Sequence, residues 1–265
     1  MKEAILNYSV DCGSIDDSVN QIEIRLMQST ESFKNKATCL WLACFNPHSY
    51  VIADNDQEFS EALHGADWLV PDGIGVLLAS RILGGQIRER VTGSDVFYGL
   101  QSRLNAIGGL SVFFLGSTEE TLTVIRQKMS SDYPNIRIAG TYSPPFKSEY
   151  SIAELDDMID KINASKVDVL WVSMTAPKQE KWIFQNKDKL NVRFAAAVGA
   201  VFDFYAGNIK RSHPLFQRLG LEWLPRLLQE PRRLWRRMGV SAPIFLYHTV
   251  LTKIKRLPRK NPVDW

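Results

Sequence analysis

Short apolar runs recurring between helix-length segments constrain this chain more than any other feature. Residues 38–45 (TCLWLACF), 67–70, 110–115 (LSVFFL), 136–141, 167–173 (VDVLWVS) and 193–198 are nearly continuous in hydrophobicity. Strands covered on both faces read this way, because neither face meets water. Segments 56–65, 74–83, 95–105, 118–131, 152–164 and 177–190 carry helical periodicity instead. Thr118 heads one of these with Glu119 and Glu120 in its first turn, and Pro177 suits a first helical position. Strand alternating with helix predicts an α/β fold: a doubly wound, mostly parallel, Rossmann-like sheet. Such sheets bind ligands beyond the carboxyl ends of their strands. The residues to inspect are therefore Asn46-Pro47-His48, Pro71-Asp72-Gly73, Gly116-Ser117-Thr118, 142–145, 174–180 and 199–203.

The net charge of +3 conceals a division. Residues 1–209 hold 19 Lys and Arg against 26 Asp and Glu, whereas residues 210–265 hold 13 against 3. Pro214, Pro225, Pro231 and Pro243 cut the later segment into short helices, in which Arg232, Arg233, Arg236 and Arg237 interleave with Leu234, Trp235 and Met238. The expected organisation is an α/β domain over residues 1–209 and a basic, arginine-rich helical appendage over 210–265. A basic tail on an acidic body seeks an anionic partner: lipid headgroups, phosphates or nucleic acid. Trp223, Trp235, Phe245 and Tyr247 favour a membrane surface or packing, and no RNA-binding signature accompanies them. No window approaches the roughly 18–20 apolar residues of a membrane span, and no signal peptide is visible. A cytoplasmic protein, peripheral on the inner face of the cell membrane, is expected. Three cysteines with no CxxC spacing suit a reducing compartment, with Cys39 and Cys44 as core residues.

Several positions admit chemistry, each beside a plainer reading. Asp72 stands where a strand gives way to a helix; it is either a base for a hydroxyl nucleophile or the cap of that helix. The run from Gly73 to Ala79 imitates a dinucleotide fingerprint, but the ribose-binding acid is not clearly placed. Arg90 is able to reach a diphosphate, and the amides from Thr92 and Gly93 to Asp95 to receive an anion, or Ser94 or Asp95 simply caps a helix. Lys178, Gln179 and Glu180 open another helix, which is either a ligand contact or a surface start. Asp203 is a lone acid among apolar residues, suited to a ribose or to a structural hydrogen bond. Asp54-Asn55-Asp56 matches a metal-binding DxD pattern, yet reads more simply as a helix cap, and the four histidines lack ligand spacing. No metal and no cofactor are expected.

Five ordered segments, ADWLVPDGIGVLLASRILGG with ERVTGSD, FFLGS, APKQEKW, VGAVFDFYAGNIKR and GLEWLPRLLQEPRRLWRR, make the chain resemble the WecG/TagA/CpsF family of bacterial glycosyltransferases. The resemblance runs from about Asn46 to Arg237. It implies a metal-independent, inverting transferase that moves a hexose, N-acetylmannosamine-type or glucose, from a UDP-sugar to a polyprenyl-diphosphate-linked sugar. The family's base falls on Asp72 and its diphosphate-contacting arginine on Arg90. Donor contacts are expected from Asn46, Gly73, Thr92, Gly93, Gly116, Ser117, Lys178, Gln179, Glu180 and Asp203. Arg211, Arg226, Arg232, Arg233, Arg236 and Arg237 are expected to face the acceptor or an anionic membrane surface rather than nucleic acid. Cys44 stands where family members often carry Thr. The sequence leaves the oligomeric state open.

Overall fold

The computed structural model describes residues 1–32, 39–209 and 235–256. Six strands form one parallel sheet: β3 (Leu40–Phe45), β4 (Trp68–Pro71), β5 (Ser111–Gly116), β6 (Arg137–Tyr142), β7 (Val169–Ser173) and β8 (Phe194–Ala197), in the order β4-β3-β8-β7-β5-β6. Each expected strand is present within a few residues of its reading. The four inner strands are buried on both faces, as their continuous hydrophobicity requires.

Side chains alternate along these strands between two cores. Trp41, Ala43 and Phe45 of β3 join Leu170 and Val172 of β7 on one face, while Leu42 joins Val169 and Trp171 on the other. The first face is covered by α2 (Pro47–Ala53), α3 (Gln57–His64), α4 (Ile74–Leu83), α7 (Ile152–Ala164) and α8 (Lys178–Asn186). The second is covered by α1 (Ile15–Ser32), α5 (Gly93–Ile107), α6 (Glu119–Asp132) and α9 (Val201–Ala206). The adjacent strands β3 and β8 therefore send their following helices, α2 and α9, to opposite faces. Their parting opens a crevice at the carboxyl ends, the place where open α/β sheets take ligands.

Two additions lie outside the alternating pattern. An antiparallel hairpin, β1 (Lys2–Ile5) and β2 (Tyr8–Asp11), lies beside the edge strand β4, and Asp11 Oδ2 accepts the Leu69 amide at 2.7 Å. It shields a sheet edge that would otherwise be open to another chain. The second addition is α10 (Ala242–Arg256), entered through a π-helical turn (Arg236–Ser241) and packed on α4 and α2. Its Phe245 is wholly buried, with its ring 5.3 Å from that of Tyr50 and 6.2 Å from that of Phe45. Tyr50 also hydrogen-bonds His248 at 2.8 Å, and His48 bonds Ser241 at 2.9 Å.

Candidate active site

Asn46 ends β3 and caps α2. Its Oδ1 accepts the amides of His48 (3.0 Å) and Ser49 (2.9 Å), which fixes the orientation of its amide group. That leaves Nδ2 to donate to Asp72 Oδ2 across the strand ends, at 3.3 Å. Asp72 follows β4, whose register sets Pro71 opposite Phe45. The capping alternative for Asp72 is overturned: α4 is capped by Gly73, with no side-chain hydrogen bond, and the carboxylate meets Asn46 across the strand ends instead. Gly73 is needed for its backbone, with φ at 99°, a region that disfavours a side chain. Gly75 permits contact between α4 and α2, since a Cβ there would lie 2.5 Å from Pro47 Cγ. Packing and turn geometry thus account for both glycines. Their strand, β4, is at the sheet edge rather than at the central switch where dinucleotides sit.

Burial pushes the Asp72 carboxyl above its ordinary range. Arg90, the Asn46 hydrogen bond and Arg237 oppose that rise, and Asp95 adds to it. Arg90 is held just behind, in the loop whose Val91 amide bonds Pro71 O at 3.0 Å. Arg237 comes from the turn before α10, and its field reaches both Asp72 and Glu180. Its neighbour Arg236 is exposed, so the structure separates two arginines that the sequence treats alike. Arg211, Arg226, Arg232 and Arg233 lie outside the described residues.

The start of α5 forms one wall. Thr92, rather than Ser94 or Asp95, is its cap, in a box where Thr92 N donates to Asp95 Oδ2 (3.0 Å) and Asp95 N to Thr92 Oγ1 (3.2 Å). Gly93 lies against β8: a Cβ there would be 3.1 Å from Val198 Cα. Its amide donates to the Cys44 thiol. Cys44 is therefore not a plain core residue but a largely buried wall of the crevice. Its thiol is pushed well up by burial and by the nearby carboxylates of Asp72 and Glu180. Cys39 does lie in the core.

The floor is built by Gln179. Its Oε1 accepts the amides of Met174 and Gly199, both at 3.2 Å, which ties the ends of β7 and β8 together. Its Nε2 donates to Glu180 Oε1 at 2.8 Å. Both side chains are 3% exposed, so this helix start is an interior feature rather than a surface one. Burial lifts the Glu180 carboxyl to about 7, against the hydrogen bonds from Gln179 and from its own backbone N–H and against Arg237. Lys178 faces away from this pair. Its Nζ donates to Lys147 O and sits 3.9 Å from the Tyr150 ring centroid, and burial lowers its pKa. Gly116 and Ser117 end β5 beside Ser173, whose O accepts the Ser117 amide at 3.2 Å. Asp203 lies half-buried on the first turn of α9. Beyond the far end of α2, a helix of about two turns, Asp56 caps α3 and pairs with Lys181 at 2.6 Å. Among the described residues no group of three or more His, Cys, Asp and Glu is placed to hold a metal ion.

The sequence profile of the glycosyl transferase WecG/TagA/CpsF family matches residues 3–259. The chain belongs to that family. It is thereby a glycosyltransferase. Among its relatives is the N-acetylglucosaminyldiphosphoundecaprenol N-acetyl-beta-D-mannosaminyltransferase of Bacillus spizizenii, 32% identical over 88% of this chain and 86% of that protein. The enzyme of the same name from Bacillus subtilis is 31% identical over 81% of this chain and 80% of its own length. The Staphylococcus aureus enzyme of that name is 28% identical, covering 92% of both.

Two features of the crevice escaped the sequence reading. One is the role of Cys44 as a cleft wall, since its flanking residues are those of a core strand. The other is the separation of Arg237 from Arg236, which depends on how the turn before α10 docks.

Proposed function

We propose that this glycosyltransferase moves an N-acetylmannosamine-type hexosyl group from its UDP conjugate to a sugar on a polyprenyl diphosphate, with inversion at the anomeric carbon. The observation that carries the reading is the Asn46–Asp72 pair, a carboxylate held by one defined hydrogen bond at the ligand crevice of the sheet. The names of the relatives support the choice of hexosyl group and acceptor.

In the proposed step Asp72 takes the proton of the acceptor hydroxyl while that oxygen bonds to the anomeric carbon. The bond from that carbon to the diphosphate oxygen breaks, and UDP leaves with the electron pair. Arg90 and Arg237 offset the charge gathering on the diphosphate, and their placement before the reaction is what makes them effective. The N–H groups at the start of α5 add to this field. Transfer of radiolabelled N-acetylmannosamine from its UDP conjugate into the lipid phase tests the reaction. Asp72→Asn should fold normally and turn over about a hundredfold more slowly or worse; parental turnover would remove Asp72 from the role.

The acceptor's lipid suggests where the enzyme works. No helix among the described residues is long and apolar enough to cross a membrane. Trp235, Val240, Tyr247, Val250 and Ile254 are exposed along the last turn and α10, with Arg236, Lys253, Lys255 and Arg256 beside them. An apolar face with aromatic and basic residues suits peripheral attachment to an anionic bilayer. Under this reading residues 1–209 supply the base and most of the crevice, while residues 210–265 add Arg237 to it and approach lipid. Vesicles rich in anionic lipid should retain the protein at low salt and release much of it at high salt; indifference to lipid charge would refute the attachment.

A further inference from the structure

The Glu180 residue is 3% exposed, and its carboxyl accepts from Gln179 and from its own backbone N–H. Its Oε1 accepts from Gln179, whereas its Oε2 is buried and meets no hydrogen-bond partner among the described residues. A buried acceptor left open is costly, and folded proteins rarely tolerate one without a use. A purely structural role does not require it. Holding the Gln179 amide in place takes one oxygen, which a neutral side chain would supply without a second.

Its surroundings are those of the crevice. The thiol of Cys44 feels both Glu180 and Asp72, and the Arg237 guanidinium acts on both carboxyls. Gln179, bonded to Glu180, holds the strand-end amides of Met174 and Gly199. A carboxylate at this point repels phosphate oxygens, which carry negative charge and offer no N–H or O–H. The part of a nucleotide sugar nearest the base is instead the hexosyl ring, whose hydroxyl and amide groups donate. Building on the function proposed above, we propose that Glu180 Oε2 accepts a hydrogen bond from an O–H or N–H of the hexosyl group, making Glu180 a specificity-determining residue for the donor.

The charge state agrees with this use. With its pKa lifted to about 7, Glu180 is partly neutral near neutral pH, a form that makes an empty cleft less costly. A hydrogen bond from the sugar favours the carboxylate, so donor binding should expel a proton. The groups facing it are Arg237 from the last turn, which favours the charged form, and the Cys44 thiol from β3, itself kept protonated. Asp72 acts on the same thiol.

The test is calorimetric titration of the full chain with UDP and with UDP-N-acetylmannosamine, at pH 7 in two buffers of different ionisation enthalpy. In the parent, binding of the nucleotide sugar should release a fraction of a proton. Glu180→Gln should lose that release and bind the nucleotide sugar about tenfold more weakly or worse, while binding UDP as the parent does. Parental affinity for the nucleotide sugar in Glu180→Gln, or equal weakening of UDP, would overturn the assignment alone. A parent that binds neither ligand overturns the proposed UDP-sugar donor and this assignment with it. Should Glu180→Gln not fold, proton release by Asp72→Asn decides instead, because Glu180 is then the remaining raised carboxyl described in the crevice; no release refutes the proposal.

Discussion

Replacing Asn46 by Asp separates the two tasks of that side chain. Asp caps helices as well as Asn does, so α2 keeps its acceptor for the His48 and Ser49 amides and the fold should keep its stability. What changes is the other end. An amide that donates to Asp72 at 3.3 Å becomes a second carboxylate at the same place. Two unit charges at that distance repel by about 5 kcal/mol at an effective dielectric constant near 20, which is between three and four pKa units. Relaxation of the side chains will absorb part of this, and the pair will share a proton as coupled carboxylates do. The acid limb of the kcat/KM profile should therefore move upward by about two to four pH units. The assay is transfer of labelled sugar to the lipid acceptor from pH 5 to 10, with thermal denaturation run beside it. Asn46→Ala is the control: it should cost about 1 kcal/mol through the lost cap and shift the limb less. A stable Asn46→Asp protein whose acid limb stays in place would refute the reasoning, because the ionisation that governs the rate would then not be that of Asp72.

Two other expectations concern stability. Glu180 titrates about 7 when folded against 4.5 as a free side chain, so the folded state retains a proton that the unfolded chain has lost between those values. Stability should fall as pH rises through that window and then level off. Glu180→Gln should gain on the parent in unfolding free energy, measured by denaturant titration between pH 5 and 8, by up to about 3 kcal/mol; a constant difference would contradict the buried, proton-holding carboxyl. Phe245→Ala should cost about 3–5 kcal/mol of the docking of α10 and strip hydrogen-exchange protection from residues 242–256. Protection equal to the parent's would mean that this ring does not anchor the helix.

Much of the site was legible because strand ends in a parallel sheet converge. Asn46 and Asp72 each follow an apolar run, Gln179 and Glu180 follow a third, and three such runs belonging to one sheet must bring their sequels together. The hairpin and α1 were not legible. The strands of the hairpin have four residues each, and the intervening turn carries Leu6 at φ 56° rather than an Asn-Gly or Asp-Gly signal. In α1 the buried Val19, Ile22 and Leu26 are spread among charged and amide side chains, so no apolar stripe stands out. The short helix α2 was hidden inside what reads as a turn, since Asn, Pro and His suit either.

The sequence by itself determined that this chain is a parallel α/β protein with its polar residues gathered at strand ends, because periodicity and turn chemistry are local properties. It also carried the motifs of one transferase family. Only the tertiary structure decided what those residues face. It turned Asp72 from a possible cap into a carboxylate held by Asn46, closed Gln179 and Glu180 into the interior, and sent Arg237 toward them while leaving Arg236 in solvent. These outcomes depend on desolvation and on contacts between residues far apart in the chain, such as Asp72 and Arg237. Local sequence sets which charges exist; packing decides which of them lose water and meet.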